Sequence, residues 1–140
     1  MKRLTHVGIA VKSLESSVDL FSRLLQVGKA GEEAVASQRV KLAFLHVGET
    51  SIELTEATDP ESPIAKFIEK RGEGVHHLSF EVDDIVAELA RLRKEGFDLI
   101  DEKPRAGAGG HLIAFLHPKS TNGVLVEICQ RRTPGDTPNT

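Results

Sequence analysis

The 140-residue sequence contains no tryptophan, no tyrosine and only one cysteine. The single cysteine, Cys129, excludes an intrachain disulfide and a zinc site built from cysteines. Six phenylalanines are the only large aromatic side chains, and the net charge is −3. The composition therefore lacks both the aromatic stacking platform and the basic surface of a nucleic-acid-binding protein, and no nucleic-acid partner is expected.

Long apolar runs are also missing. No segment approaches the ~20 consecutive apolar residues of a membrane helix, so no membrane partner is expected. Residues 1–6 lack the apolar region of a signal peptide, which makes a cytoplasmic location the expectation. With 39% apolar and 28% charged residues, the composition is that of a globular domain.

One order of elements is predicted twice along the chain from apolar periodicity and from turn residues. The first copy is predicted as a strand at 5–11, a helix from the cap Ser13 to Gly28, a loop at 28–37 in which 28–30 could add a short strand, and strands at 40–47 and 50–55. The second copy is predicted as a strand at 75–82, a helix at 85–95 capped by Asp83 or Asp84, a strand at 97–100, a loop at 103–110, and strands at 112–116 and 124–130. A helix at 63–70, capped by Ser62, links them, and 131–140 is predicted to be a polar tail.

Two short phrases show that these copies are a repeat. His-Val-Gly-Ile-Ala-Val from His6 matches His-Leu-Ser-Phe-Glu-Val from His77, and Ser-Ile-Glu-Leu matches Leu-Val-Glu-Ile around Glu53 and Glu127. The His-to-Glu separations agree, at 53 − 6 = 47 and 127 − 77 = 50 residues. The sequence thus predicts an α+β chain with one domain at 1–130, made of two tandem βαβββ modules at about 4–56 and 75–130.

The repeat brings together four side chains that can bind a metal. In each strand the apolar residues alternate with the ligand candidate, so His6, Glu53, His77 and Glu127 are predicted to point away from the helices. Two imidazoles and two carboxylates suit a divalent cation such as Co²⁺, Mn²⁺, Ni²⁺ or Zn²⁺. Taken singly, each histidine also fits a packed strand residue, and each glutamate fits a solvated one.

His76 precedes His77 in the same strand and has the opposite phase. It shares the face of Leu78 and Phe80, which is predicted to meet the helices. We therefore expect His76 to pack or form a hydrogen bond there and not to bind the metal, so that its replacement affects mainly stability.

Five stretches resemble the vicinal oxygen chelate superfamily, which contains glyoxalases and dioxygenases, and within it the methylmalonyl-CoA epimerase family. They are H-V-G-I-A-V-K-S-L-E (6–15), E-S-P-I-A-K-F-I-E-K (61–70), G-V-H-H-L-S-F-E-V-D-D-I (74–85), D-E-K-P-R-A-G-A-G-G (101–110) and F-L-H-P-K-S-T-N-G-V-L-V-E (115–127). The resemblance extends over about residues 4–130.

The resemblance implies a fold, an activity and a ligand set. The implied fold is a cup-shaped mixed sheet with helices on its outer face, usually in a homodimer. The implied activity is the metal-dependent interconversion of (R)- and (S)-methylmalonyl-CoA, a step of propionate metabolism. The family's metal ligands fall on His6, His77 and Glu127. The fourth falls on Glu53, a position at which the family has either Gln or Glu. Co²⁺ or Mn²⁺ is favoured as the cofactor.

The chain departs from the family pattern at one catalytic position. Some members carry a glutamate, proposed as a base, two residues beyond the valine of a Gln-Gly-Val phrase. Here that position is Leu42, and Arg39 replaces the glycine. Glu127 and Glu53 are accordingly the expected proton carriers, with His46 and Lys41 as further candidates.

The coenzyme A portion of such a substrate requires cationic side chains and backbone donors. Lys119, Arg105 and the glycine-rich loop beginning at Gly107 are the candidates for these contacts. The loop is not a dinucleotide-binding fingerprint, because the required strand–helix unit does not surround it.

Other activities of the same superfamily remain open. A glyoxalase I-like lactoylglutathione lyase would share the metal ligands, and a bleomycin-resistance-type binding protein would use the fold without metal. A paralogue without activity is also compatible with the sequence.

Overall fold

The structure, a computed structural model, describes residues 1–132. The order strand–helix–strand–strand–strand occurs twice, as predicted. The first module consists of β1 (Arg3–Ala10), α1 (Leu14–Leu25), β2 (Gly31–Val35), β3 (Val40–Val47) and β4 (Thr50–Ala57). The second consists of β5 (Gly74–Glu81), α3 (Ile85–Lys94), β6 (Arg105–Ala106), β7 (Leu112–Leu116) and β8 (Val126–Gln130), and α2 (Pro63–Arg71) lies between the modules. Among these elements, no helix is both long and apolar enough to span a membrane.

All three helices begin at the predicted cap residues. In each case the cap side chain accepts a hydrogen bond from a backbone N–H of the first turn, which would otherwise have no partner there. The three pairs are Ser13 with Ser16, Ser62 with Ile64, and Asp84 with Ala87. The cap signals are local in sequence, which explains why they predict helix starts well.

The described chain divides into two compact units, residues 4–79 and residues 1–3 with 80–132. The first unit holds the first module together with α2 and most of β5. The second unit holds α3, β6, β7 and β8. Folding of residues 1–130 as a single domain stays a prediction. Of the predicted tail, residues 133–140 lie outside the described part.

In the first unit the strand order is β2-β3-β4-β1-β5. β3 runs antiparallel to β4 with Phe44 opposite Glu53, and β1 runs parallel to β4 with Gly8 opposite Glu53. One line across the sheet therefore contains Phe44, Glu53 and Gly8, and their positions share one face. Leu54 points to the other face.

The core of the first unit lies on that other face, where α1 packs. Its buried members are Val11, Leu14, Ala43, Leu45 and Leu54, with Phe21 of α1 packed against them. Because adjacent strand residues point to opposite faces, burying Leu54 under α1 directs Glu53 to the side of the sheet that has no helix from this cluster.

The second unit repeats this register. β7 lies between β6 and β8 and is antiparallel to both, with Phe115 opposite Glu127. Its apolar cluster joins the α3 residues Ile85, Leu89 and Leu92 to Ala114, Leu116 and Ile128 of the strands. Glu127 thus holds the position in its strand pair that Glu53 holds in the other.

The segment 28–37, predicted as a loop, contains β2. Gly31–Val35 pairs with β3 along its whole length, whereas the alternative short strand at 28–30 is wrong. The helix before it ends at Gln26, with φ of 57° in the left-handed region, and not at Gly28. Small and acidic residues disfavour a strand locally, so pairing with β3 decided this element.

The predicted strand at 97–100 is also wrong. Leu99 makes only an isolated bridge to Leu116, and the Asp101 carboxylate accepts the Phe115 N–H at 2.9 Å. This side chain takes a hydrogen bond that a continuing strand would make. The second strand of this module is instead β6, within the predicted loop at 103–110.

Candidate metal centre

Two histidines from neighbouring strands meet in the first unit. Their Nε2 atoms lie 3.0 Å apart, although the residues are separated by 71 positions. The ring planes are nearly perpendicular, at 87°, with centroids 5.1 Å apart. His6 in β1 and His77 in β5 occupy equivalent positions of the repeat, and the structure brings them together.

A carboxylate joins this pair. Oε2 of Glu53 lies 3.3 Å from Nε2 of His6, and Glu53 is only 7% exposed. The parallel register of β1 and β4 explains the contact, because Glu53 stands opposite Gly8, two residues from His6 on the same face. Three of the four predicted ligands therefore lie within one unit, where His6 contacts both His77 and Glu53.

Gly8 leaves the space that the His77 ring occupies. A Cβ atom added at Gly8 would lie 2.1 Å from Cε1 and 2.4 Å from Nδ1 of His77. Contacts this short do not occur between non-bonded carbon and nitrogen atoms. Glycine is required at position 8 because the imidazole of His77 lies so close. The glycine in the phrase His-Val-Gly-Ile-Ala-Val is thus explained by steric exclusion of any larger residue.

Burial keeps the histidines of this cluster neutral. It lowers the pKa of His6 from 6.5 to about 4. The pKa of His77 is lowered well below its usual value, first by burial and then by the neighbouring His6 and His76. At neutral pH both rings carry lone pairs, which is the state that binds a metal. The contact between His6 and Glu53 is then one of a neutral imidazole with a carboxyl group.

The spacing of these donors fits a divalent cation. Two ligands at right angles with metal–ligand bonds of about 2.1 Å are about 3.0 Å apart. The Nε2–Nε2 distance of 3.0 Å and the Nε2–Oε2 distance of 3.3 Å agree with this. Two neutral imidazoles and a carboxylate are ligands for the later divalent transition ions and for Mn²⁺. The residues present therefore fit a metal site.

The fourth predicted ligand, Glu127, belongs to the second unit. It lies in β8, is 4% exposed, and stands opposite Phe115. This matches the environment of Glu53 opposite Phe44. Its membership of the ligand set stays a prediction.

His76 packs against a helix, as predicted, but it also has a contact that sequence reasoning missed. Its ring lies edge-on to Phe67 of α2, with centroids 4.9 Å apart. Its Nδ1 atom is 2.9 Å from Nδ1 of His77. Strand alternation assigns consecutive residues to opposite faces, so it does not predict a contact between their side chains. The sequence feature that could have indicated this contact is the consecutive His-His pair.

The other candidate proton carriers have contacts of their own. His46 Nδ1 lies 2.7 Å from Ser51 Oγ in an exposed position. Lys41 pairs with Glu56 at 3.0 Å, and its register position is on the face opposite Glu53. Leu42 is buried, with 2% exposure, and its side chain cannot carry a proton.

The three candidate substrate contacts lie in the second unit. Arg105 in β6 pairs with Asp101 at 3.2 Å, and exposed Lys119 approaches Asp98 at 3.5 Å. Gly107 packs against Ile113, which would be 2.9 Å from an added Cβ. That these residues contact a substrate stays a prediction.

Comparison with known proteins identifies the family. Residues 5–115 match the family described as Glyoxalase/Bleomycin resistance protein/Dioxygenase superfamily. The chain is 40% identical to the uncharacterized protein YqjC of Bacillus subtilis, over 99% of this chain and 98% of that protein. It is 38% identical to the ethylmalonyl-CoA/methylmalonyl-CoA epimerase of Cereibacter sphaeroides, over 91% of this chain and 97% of the relative.

A solved structure supports the same family assignment. The methylmalonyl-CoA epimerase from Mycobacterium tuberculosis has a TM-score of 0.89 with 36% identity, covering 93% of this chain and 88% of that one. The expected α+β fold of tandem βαβββ modules is thereby confirmed. The chain belongs to the Glyoxalase/Bleomycin resistance protein/Dioxygenase superfamily, and its homologues and structural neighbours include methylmalonyl-CoA epimerases, which are isomerases.

Proposed function

We propose that this protein is a methylmalonyl-CoA epimerase that interconverts the (R) and (S) forms of its substrate with a divalent metal. The observation that carries the proposal is the approach of His6 and His77 to 3.0 Å beside Glu53. The similarity to named epimerases over more than nine-tenths of the chain supports the choice of substrate. Location in the cytoplasm and a homodimeric assembly belong to the same proposal.

The proposed ligands are His6, His77, Glu53 and Glu127. His6 contacts both His77 and Glu53 within one unit, and Glu127 is included because its strand pair repeats the register of the Glu53 pair. Co²⁺ or Mn²⁺ is favoured, with Ni²⁺ or Zn²⁺ as alternatives, since all accept imidazole and carboxylate ligands. When bound, the cation supplies Lewis-acid stabilisation of the negative charge that develops on the substrate oxygens.

The reaction exchanges one proton at the carbon between the thioester and the carboxylate of the substrate. A carboxylate of the protein takes this proton, the C–H bond breaks, and its electron pair moves onto the thioester oxygen as an enolate. A proton then returns to the opposite face of the carbon. Two faces require two proton carriers or one that moves between them.

Glu53 and Glu127 are the proposed proton carriers. Each is a carboxylate with two oxygens, so one oxygen can bind the metal while the other exchanges a proton. Leu42 offers no alternative, because an alkyl side chain has no acidic proton. Contacts of Arg105, Lys119 and the Gly107 backbone with the coenzyme A phosphates complete the proposal.

The activity is tested by incubating the purified, metal-loaded protein with each methylmalonyl-CoA epimer in deuterated water. We expect inversion and incorporation of solvent deuterium at the α-carbon from both epimers, and neither after His77→Ala. Protein that contains metal but acts only on the glutathione hemithioacetal of methylglyoxal would be a lactoylglutathione lyase. Protein that retains no metal and turns over neither substrate would contradict the proposal.

A further inference from the structure

We propose that His76 is a positioning residue that holds His77 in the tautomer carrying its proton on Nδ1, so that Nε2 of His77 presents a lone pair towards His6. The inference rests on the metal site of the proposed function. It adds a residue that is not a ligand itself and that the strand phase had assigned to the helix side of the sheet.

The direction of the hydrogen bond follows from the proposed ligand role of His77. Its Nε2 atom lies 3.0 Å from Nε2 of His6, which is the spacing of two ligands of one cation. Nε2 is therefore the atom that offers its lone pair to the metal. A neutral imidazole has one nitrogen with a lone pair and one N–H.

The proton of the neutral His77 ring then has one remaining position. With the lone pair on Nε2, the proton is on Nδ1, and Nδ1 of His76 lies 2.9 Å away. His76 accepts this hydrogen bond and carries its own proton on Nε2. The hydrogen bond thus runs from Nδ1–H of His77 to Nδ1 of His76.

The His76 ring is itself held in place. It lies edge-on to Phe67, at an interplanar angle of 85°, so α2 supports the orientation of the acceptor. Gly8 provides the space in which the His77 ring lies. Hydrogen bonds to the second nitrogen of a histidine ligand set its tautomer and orientation, and their loss typically lowers metal affinity about 10- to 100-fold.

His76→Leu and His76→Asn separate this role from packing. Leucine fills the space without an acceptor, whereas the Asn side-chain oxygen takes nearly the position of the His76 Nδ1 atom. Phe67→Leu is the matched control, because it removes the ring contact and leaves the hydrogen bond. The measurements are the ring-nitrogen NMR shifts of the metal-free protein and the affinity for Co²⁺ and Mn²⁺ by calorimetry.

We expect His77 to be protonated on Nδ1 in the unsubstituted protein and to lose this preference in His76→Leu, with metal affinity about 10- to 100-fold weaker. His76→Asn should restore both properties. A His77 proton on Nε2, an unchanged affinity in His76→Leu, or equal losses in His76→Leu and Phe67→Leu would overturn the inference. If the protein binds neither ion, the metal site fails, and the NMR measurement on metal-free protein still decides the role of His76.

Discussion

The two modules are alike in the strands that carry the predicted ligands and differ in the connections between those strands. Phe44 stands opposite Glu53 in the first module, and Phe115 stands opposite Glu127 in the second. The separation of these partners is 53 − 44 = 9 residues in one case and 127 − 115 = 12 in the other. The three additional residues lie in the connection, where the second module has the short 3₁₀ turn Pro118–Ser120. Register decides the face on which a side chain lies, whereas a turn can change length without moving that side chain to the other face.

The strands that carry His6 and His77 are alike at the histidine position itself and differ at the positions near it. Position 8 is glycine and the equivalent position 79 is serine; position 5 is threonine and the equivalent position 76 is histidine. Gly8 makes room for the His77 ring, and His76 bonds to it. The two residues that contact the His77 ring, Gly8 and His76, therefore differ from their equivalents in the other copy, and duplication alone does not explain them.

The largest expected effect comes from removing the space beside His77. Gly8→Ala places a methyl group where the imidazole lies, so we expect loss of metal retention, with unfolding free energy lower by about 1–3 kcal/mol. Ser79→Ala, at the equivalent position, should retain metal and cost only about 1 kcal/mol. Metal analysis of the purified variants and denaturant titration measure both effects. Equal metal content in the two variants would contradict the steric role of Gly8.

The next effect compares the two equivalent glutamates. Glu127→Gln should keep some metal, because an amide oxygen can coordinate, but proton exchange should fall by at least ~10²-fold, since an amide does not carry a proton at neutral pH. Glu53→Gln distinguishes two roles: a ligand alone tolerates glutamine, whereas a second proton carrier does not. Deuterium incorporation measured separately from each epimer identifies the affected face. Unchanged incorporation in both variants, with metal bound, would exclude both carboxylates as carriers.

A smaller effect concerns pH and the metal-free protein. His6 and His76 are neutral in the folded state down to a pKa of about 4, whereas in the unfolded chain they bind protons near 6.5. The unfolded state therefore gains protons first, and stability falls as pH drops below 6.5, by up to roughly 3 kcal/mol for each histidine once pH reaches 4. Chelator-treated protein unfolded in denaturant between pH 7.5 and 5 tests this. His76→Asn should reduce the slope, and an identical slope would argue against the buried neutral state.

The smallest effect is expected in the second unit. Arg105→Ala and Lys119→Ala should raise KM for methylmalonyl-CoA without changing kcat, because the proposed contacts are to the coenzyme A portion. The exposed Lys119–Asp98 pair should contribute no more than about 1 kcal/mol to stability. Steady-state kinetics with both variants measures this, and a fall in kcat with KM unchanged would assign these residues to another step.

The sequence by itself predicted the elements whose signals are local. Alternating apolar residues predicted β1, β3 and β5, side-chain caps predicted the helix starts, and the repeated His and Glu positions predicted the candidate ligands. These succeed because the periodicity and the caps act within a few neighbouring residues. The same signals gave wrong predictions for two segments. They predicted a loop where β2 forms from acidic and small residues, and they predicted a strand at 97–100, where none forms.

Only the tertiary structure decided which of the predicted groups meet and how their rings are oriented. Strand pairing brings His6 within 3.0 Å of His77 and brings Glu53 into contact with His6. Packing on α2 orients the His76 ring, whose Nδ1 atom lies 2.9 Å from Nδ1 of His77. Gly8 shows the same division: its place in the repeat is visible in the sequence, but the need for glycine exists only because a ring from another strand lies against it. Strand phase specifies a face, whereas distances and tautomers depend on neighbours across the sheet.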